Sequence, residues 1–254
     1  MRNYFTFGGI NSLNYGVTIS GLSKYVIQPK TYEFAEVPGR LGDVILGGRR
    51  TDNLSITYPC FIAPPYGKYN SLAEAFYALK NALMSVNGYA QFTDSYDTTH
   101  YLMAAYAGDL ESEVFGNHEV MEFDVTFNCK PQRFLNGQTL EQITSGSLVS
   151  IAPNGKRGYP IFTLTGAGSF DFIVDGVVQE TVTVSQTFSS GIVIDCERKV
   201  CYDKTNPSSS GNLFVQFSNY QFPEINKLGQ TKATSIGIDP TGLNGRVVVK
   251  WYEL

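Results

Sequence analysis

The sequence predicts a mainly β protein with one helix, divided into two domains. Three observations carry this reading. Apolar and polar residues alternate through Leu54–Ile62 and again through 121–129, the period-two pattern of half-buried strands. Between them, residues 71–87 place apolar side chains at helical spacing between a start and a stop signal. Beyond Phe134 short apolar runs recur between Gly, Asn and Asp turns with no helical period, which is the pattern of a β-sandwich or jelly roll.

Taken in order, Tyr4-Phe5-Thr6-Phe7 reads as a strand rather than the apolar core of a signal peptide, so the protein is expected to be made and kept in the cytosol. From 30 to 50, Gly39, Gly42, Gly47 and Gly48 interrupt any long strand, and Pro38-Gly39 marks a turn. Leu54, Ile56, Tyr58, Cys60 and Ile62 then share one strand face. Pro59 lacks an amide donor, which predicts an edge position or a bulge. In the helix, Ser71 and Glu74 form a capping box, Leu72, Phe76, Leu79, Leu83 and Val86 form one stripe, and Asn87-Gly88 is the stop. Met121, Phe123, Val125, Phe127 and Cys129 form a second strand face, opposite Glu122, Asp124, Thr126 and Asn128.

After Phe134 the chain changes character. Asn136-Gly137 and the Asn154-Gly155-Lys156-Arg157-Gly158 loop bracket a boundary, drawn here as 1–135 and 136–254. Strands are expected at 161–165, 170–174, Val177–Val184, 191–196, 213–217 and 246–252, with Asp175-Gly176 as a tight hairpin turn.

Composition narrows the function. Only 17% of residues are charged while 13% are aromatic, a balance that suits surfaces made for protein contacts and also suits strands. A net charge of −4 argues against a general nucleic-acid binder. The four cysteines are too few for a disulfide scaffold; Cys60 and Cys129 sit in buried register, and Cys196 and Cys201 flank a hairpin turn across which they could face each other. No apolar run reaches the length of a membrane span.

Catalytic patterns are sparse. The histidines are His100 and His118, and there is no nucleophile elbow, phosphate-binding glycine loop or zinc-protease motif. Asp94, Asp97 and His100 are the best metal-like cluster, though Asp97-Thr98-Thr99 reads as a turn. Glu111 and Glu113 have the spacing of paired acids without a cleft to serve. The reading is therefore of a non-enzyme with no cofactor and no metal. Its rival is a carbohydrate- or receptor-binding β-sandwich, in which Trp251 with Tyr202 or Tyr220 would stack on a sugar, although Trp251 lies in an apolar terminal strand.

Three separated signatures add a resemblance. They are Phe5-Thr6-Phe7-Gly8-Gly9-Ile10-Asn11-Ser12 leading to Tyr15-Gly16-Val17, then Val37-Pro38-Gly39-Arg40-Leu41-Gly42-Asp43, then Asp94-Ser95-Tyr96-Asp97 followed by Cys129-Lys130-Pro131-Gln132-Arg133-Phe134. In this order the chain resembles the distal tail proteins of long-tailed bacteriophages. The resemblance implies an N-terminal β-sandwich-type ring domain with an extended hairpin arm, and a C-terminal galectin-like β-sandwich. It implies a homo-hexamer at the tail tip that meets the tail-tube protein on one face and a tail-tip or tail-associated protein on the other. The sandwich would carry receptor-binding or baseplate proteins. Assembly is expected in the host cytoplasm, with no membrane insertion, and DNA would pass through without specific binding.

The resemblance also suggests where the ring interface lies. Pro38, Gly39, Arg40, Leu41 and Asp43 fall on the arm, Gly47 and Gly48 would be its tip, and Arg49 follows. Phe76, Leu79 and Leu83 on the helix are the other interface candidates. From Asn81 to Cys129 there is no Lys or Arg, whereas acids recur. In a ring, Glu111, Glu113, Glu122 and Asp124 from that stretch would line the lumen and repel phosphate.

Overall fold

The computed structural model describes residues 2–21, 32–46, 51–108, 110–115, 119–188, 190–208, 211–227 and 231–253. Two compact units divide the chain, Met1–Asn136 and Gly137–Glu253.

The first unit opens with a tight hairpin of β1 (Phe5–Phe7) and β2 (Ile10–Asn11). Gly8 and Gly9 between them have φ of 54° and 86°, the pair of positive values that a two-residue turn requires and that glycine adopts without a Cβ clash. A single 3₁₀ turn, Ser12–Tyr15, follows and ends at Gly16 with φ 70°. A Cβ on Gly16 would sit 2.8 Å from the Tyr66 carbonyl carbon, so two backbone segments meet where only glycine fits.

Next come β3 (Val17–Ile19), the short pair β4 (Phe34–Ala35) and β5 (Val44–Ile45), and β6 (Leu54–Ile62). The helix α1 (Leu72–Ser85) is capped at its start by Ser71, whose Oγ accepts from the Glu74 amide, while the Glu74 carboxylate accepts from the Asn70 amide. Past its end, Gly88 lies at φ 75°. The unit is completed by β7 (Ala90–Asp94), β8 (His100–Tyr106), β9 (Ser112–Phe115) and the long β10 (Val120–Leu135).

All pairings are antiparallel. β10 takes β6 along one edge, and β9 and β8 in succession along the other; β8 continues to β7 and β7 to β1. Between Cys129 and Arg133 the ladder to β8 shifts register, and Pro131, with no amide to donate, sits inside this bulge. The sheet curls, because Phe5 and Phe7 of β1 pack on Phe127 of β10 at ring distances of 5.4 and 5.2 Å. Phe92 and Tyr58 close the same aromatic cluster.

Pro59 corrects the edge-or-bulge expectation. β6 is flanked by both β3 and β10, and its register to β10 runs unbroken through Pro59 opposite Asp124. The Pro59 carbonyl accepts from the Ser20 amide at 2.7 Å, just past the end of β3. A residue's N and C=O point to the same strand edge, so the missing donor faces the β3 side and costs β10 no hydrogen bond.

The second unit contains β11 (Thr139–Ile143), β12 (Val149–Ile151), β13 (Arg157–Val174), β14 (Val177–Val184), β15 (Ile192–Asp195), β16 (Val200–Asp203), β17 (Val215–Phe217) and β18 (Ile236–Glu253). The strands expected at 161–165 and 170–174 are one strand, β13, with a register shift between Gly166 and Ser169. β13 and β18 pair along their length and bend together at that shift. On one side of the bend the neighbours are β15, β16 and β11; on the other they are β14, β17 and β12. Two sheets thus share two long strands, and Phe162 meets Phe170 across them at 4.7 Å. A Cβ on Gly168 would fall 2.0 Å from the Thr241 carbonyl oxygen, which is why glycine marks the crossing. Asp175 and Gly176 form the expected turn, at φ 52° and 77°.

Trp251 is 3% exposed. Its Nε1 donates to Thr139 Oγ1 at 2.8 Å, and its ring lies where a Gly158 side chain would be. It is core, which removes it as a sugar-stacking platform. All four cysteines are free and buried.

Candidate assembly surfaces

The arm is the β4–β5 hairpin. Phe34 pairs with Ile45 and Ala35 with Val44, and the Leu46 amide donates to Glu33 O at 2.8 Å. The chain reverses through 36–43, where Gly39 and Gly42 take φ of 82° and 81°. This corrects the expected tip: the turn is at Pro38-Gly39, whose glycine supplies the left-handed backbone, while Gly47, Gly48 and Arg49 lie outside the described residues. Pro38, Gly39, Arg40, Leu41 and Asp43 are all exposed. Leu41 is 101% exposed, and Phe34, Ile45 and Leu46 exceed half. The exposure of Phe34, Ile45 and Leu46 has a trace in the sequence: they are large apolar residues in a glycine-rich segment with no core periodicity.

The opening and closing signatures form one clasp. Ser95 N donates to Tyr4 O at 2.9 Å, and Tyr4 N donates to Ser95 Oγ at 3.1 Å. Asp94 accepts from Tyr58 OH at 2.6 Å through one oxygen and from the Tyr96 and Asp97 amides through the other. Asp97 accepts from Thr99 and is ion-paired with Arg133, and His100 Nδ1 lies 3.0 Å from it. Partial burial pushes the Asp97 carboxyl up, but the Thr99 hydrogen bonds, Arg133 and His100 outweigh it and hold it well below the usual carboxylate range. Both acids are thus committed to turn geometry, and no metal-binding group of acids, His and Cys occurs among the described residues.

Glu111, Glu113, Glu122 and Asp124 are exposed. Glu113 stands opposite Glu122 on β9 and β10, and Asp124 opposite Pro59 on β6. Glu113, Glu122 and Asp124 share a sheet face with Thr57 and Thr126, whose hydroxyls bond at 2.9 Å, while Glu111 precedes β9 and lies outside the ladder. Asp94 and Asp97, turned into the clasp, do not contribute to this acidic face.

The helix candidates need correction. Leu79 and Leu83 are 0% exposed and Phe76 8%, all within the core of their own unit, where Phe76 meets Phe123 edge-to-face at 5.3 Å. Side chains already enclosed have nothing to offer a neighbour. The outward stripe of α1 is instead Tyr77, Lys80 and Met84, at helical spacing, with Tyr77 60% and Met84 62% exposed.

In the second unit a cleft of about 310 Å³ is floored by Phe172 and walled by Gln179, Glu180, Phe222, Glu224 and Lys227. Glu180 accepts from Ser218 Oγ and Asn219 N, and Glu224 accepts from Tyr252 OH.

No family model matches the chain, and no curated protein matches it. Solved structures do. The Dit protein of phage SPP1, described as a paradigm of the hub adsorption apparatus in phages infecting Gram-positive bacteria, superposes with TM-score 0.69 at 10% identity, covering 100% of both chains. The chain shares its fold with this Dit protein. Two structures of the phage p2 baseplate in its activated conformation, with strontium and with calcium, agree at TM-scores of 0.61 and 0.58. Each is 13% identical and covers 100% of this chain and 98% of the other. The Dit-like fold accounts for the mainly β architecture with one helix.

Proposed function

We propose that this protein is a structural hub of a long, non-contractile phage tail, located at the distal end of the virion. In this reading it forms a hexameric ring through its first unit. One face joins the tail tube, the other a tail-tip or tail-associated protein, and the second unit, as a galectin-like sandwich, carries baseplate or receptor-binding proteins. The observation that carries the proposal is the full-length match to a hub protein. The arm supports it, because a hairpin with fully exposed Leu41 and half-exposed Phe34 and Ile45 is built for a partner. A closed ring needs a heterologous contact, one patch on a different patch of the neighbour. The acidic face of Glu113, Glu122 and Asp124 suits a lumen through which DNA slides without adhering. The role is assembly, not catalysis. Among the described residues no helix is long and apolar enough to cross a membrane.

Light scattering of the purified protein across concentration tests the ring. A mass rising to a hexamer, lost in Leu41→Asp with the folded spectrum unchanged, is the expected result. A mass of one protomer at every concentration would favour the second reading, a carbohydrate- or receptor-binding tail-tip protein, for which the half-buried Phe222 and the acids of the cleft are the specific observation.

A further inference from the structure

β14 carries a charge where its own pattern calls for an apolar residue. Val182 and Val184 turn into the second unit and are 0% and 1% exposed. Glu180 continues that inward row, 3% exposed and paired across the ladder with the buried Phe172. The register to β13 shifts between Phe172 and Ile173, which leaves Gln179 as the extra residue of a bulge.

Burying a carboxylate is costly unless a cation or a full set of donors replaces its water. One Glu180 oxygen has such donors, Ser218 Oγ at 2.9 Å and Asn219 N at 2.8 Å. The other oxygen receives no hydrogen bond, and no cation pairs with Glu180, among the described residues. This carboxylate lines the cleft of about 310 Å³.

The rest of the cleft indicates what would satisfy it. Asp175 and Glu224 join Glu180 against Lys227 alone, and Lys227 Nζ already donates to Gln221 at 3.1 Å. Val174, Val177 and Phe222 supply partly exposed apolar walls, and Phe217 holds the Phe222 ring at 4.4 Å. A cation on an aliphatic stem suits such walls, because the stem buries while the charge reaches a polar partner. A guanidinium fork matches both oxygens of one carboxylate. Here one oxygen of Glu180 and one of Glu224 are already engaged, so a compact ammonium with three donors is the better match. Ligand pockets span roughly 300–1,000 Å³, and this one has room for a single side chain instead of an oligosaccharide.

We infer that this cleft is a lysine socket, in which a lysine of another tail protein sets its ammonium against Glu180 and its stem along Val174 and Phe222. The inference rests on the reading in which the second unit carries another protein; it does not need the ring.

Titration of the full-length protein with Nα-acetyl-lysine methylamide tests the chemistry. The Asn219 amide resonance, which reports the Glu180 carboxylate, should shift saturably with a dissociation constant on the order of millimolar. The Nε-acetylated probe keeps the stem without the charge and should bind at least tenfold more weakly. The same loss is expected for the lysine probe on Glu180→Gln, which retains an acceptor for Ser218 and Asn219 and so keeps the fold. Absence of a saturable shift, or tighter binding of glucosamine than of the lysine probe, overturns the socket. In virions, a carbodiimide joins a carboxylate directly to an amine in contact with it. It should link Glu180 or Glu224 to a lysine of a different tail protein. Links from the second unit to a tail protein at other residues only overturn the socket and leave the carrier reading standing. No link from the second unit to any other virion protein removes both.

Discussion

Glu113 and Glu122 stand directly across from each other on adjacent strands, both exposed, with no cation from the surrounding chain between residues 81 and 129. Like charges at opposed positions cost a sheet roughly 0.2–1 kcal/mol. Glu122→Gln is therefore expected to raise the melting temperature by a few degrees at most, in low salt. The gain should vanish near 1 M salt, where the screening length falls to about 3 Å. An unchanged melting point in low salt would mean the two carboxylates are kept apart. If the face lines a lumen, virions carrying Glu122→Lys and Asp124→Lys should eject DNA more slowly; ejection at the normal rate would count against that role.

Gly16 is a backbone requirement. Its φ of 70° and the 2.8 Å approach of Tyr66 leave no room for a methyl group. Gly16→Ala should cost about 1–3 kcal/mol, measured as a lower urea midpoint with an unchanged slope. A change below about half a kcal/mol would show that the 66–67 backbone gives way.

The Asp97–Arg133 link makes stability acid-sensitive. Asp97 has its folded pKa depressed, so its contribution is complete above the ordinary carboxylate pKa of about 4 and fades as pH drops below it. Asp97→Asn should lose roughly 1–3 kcal/mol at pH 7. The gap to the parent protein should narrow steadily between about pH 4 and pH 2. A gap that is constant with pH would assign the loss to packing instead of charge.

The thiols should be inert in the folded state. Burial pushes Cys60, Cys129 and Cys201 up to about 12, with Asp124 adding to it at Cys60 and Asp195 at Cys201; burial raises Cys196 as well. A chromogenic disulfide reagent at pH 8 should find no reactive thiol until denaturant is added, and then find all of them. Fast labelling under native conditions would reveal local opening of β6, β10 or the β15–β16 hairpin.

Core and surface are separable by paired measurements on α1 and the arm. Leu79→Ala should destabilise by about 2–5 kcal/mol without changing the assembled mass. Leu41→Asp should do the reverse. Equal effects of both on assembly would return the buried helix stripe to the interface.

Much of this architecture is legible in the sequence because it obeys short-range rules. The apolar faces of β6 and β10, the Ser71–Glu74 cap and the Asp175-Gly176 turn follow from periodicity and local backbone chemistry, and the structure reproduces them. The errors are of another kind. The stripe of α1 shows that Leu79 and Leu83 bury something but not whether the partner is the same chain, and here it is. Pro59 is judged by its missing donor, yet which edge that donor would face depends on where β3 ends. The joining of two expected strands into β13 depends on β18, drawn from the far end of the unit. Asp94 and Asp97 sit in a plausible ligand spacing, but Tyr58 and Arg133, distant in sequence, claim them.

The clasp between Tyr4 and Ser95 spans 91 residues, and that interval sets a timetable during synthesis. At about 5–20 residues per second, β1 leaves the ribosome several seconds before the strand that must pair with it. Throughout that wait Phe5 and Phe7 have neither Phe92 nor Phe127 to cover them. The nascent chain is thus sticky at its leading end for a defined time, shortened when Phe92 and the Asp94-Ser95-Tyr96-Asp97 turn arrive and ended only when Phe127 of β10 follows.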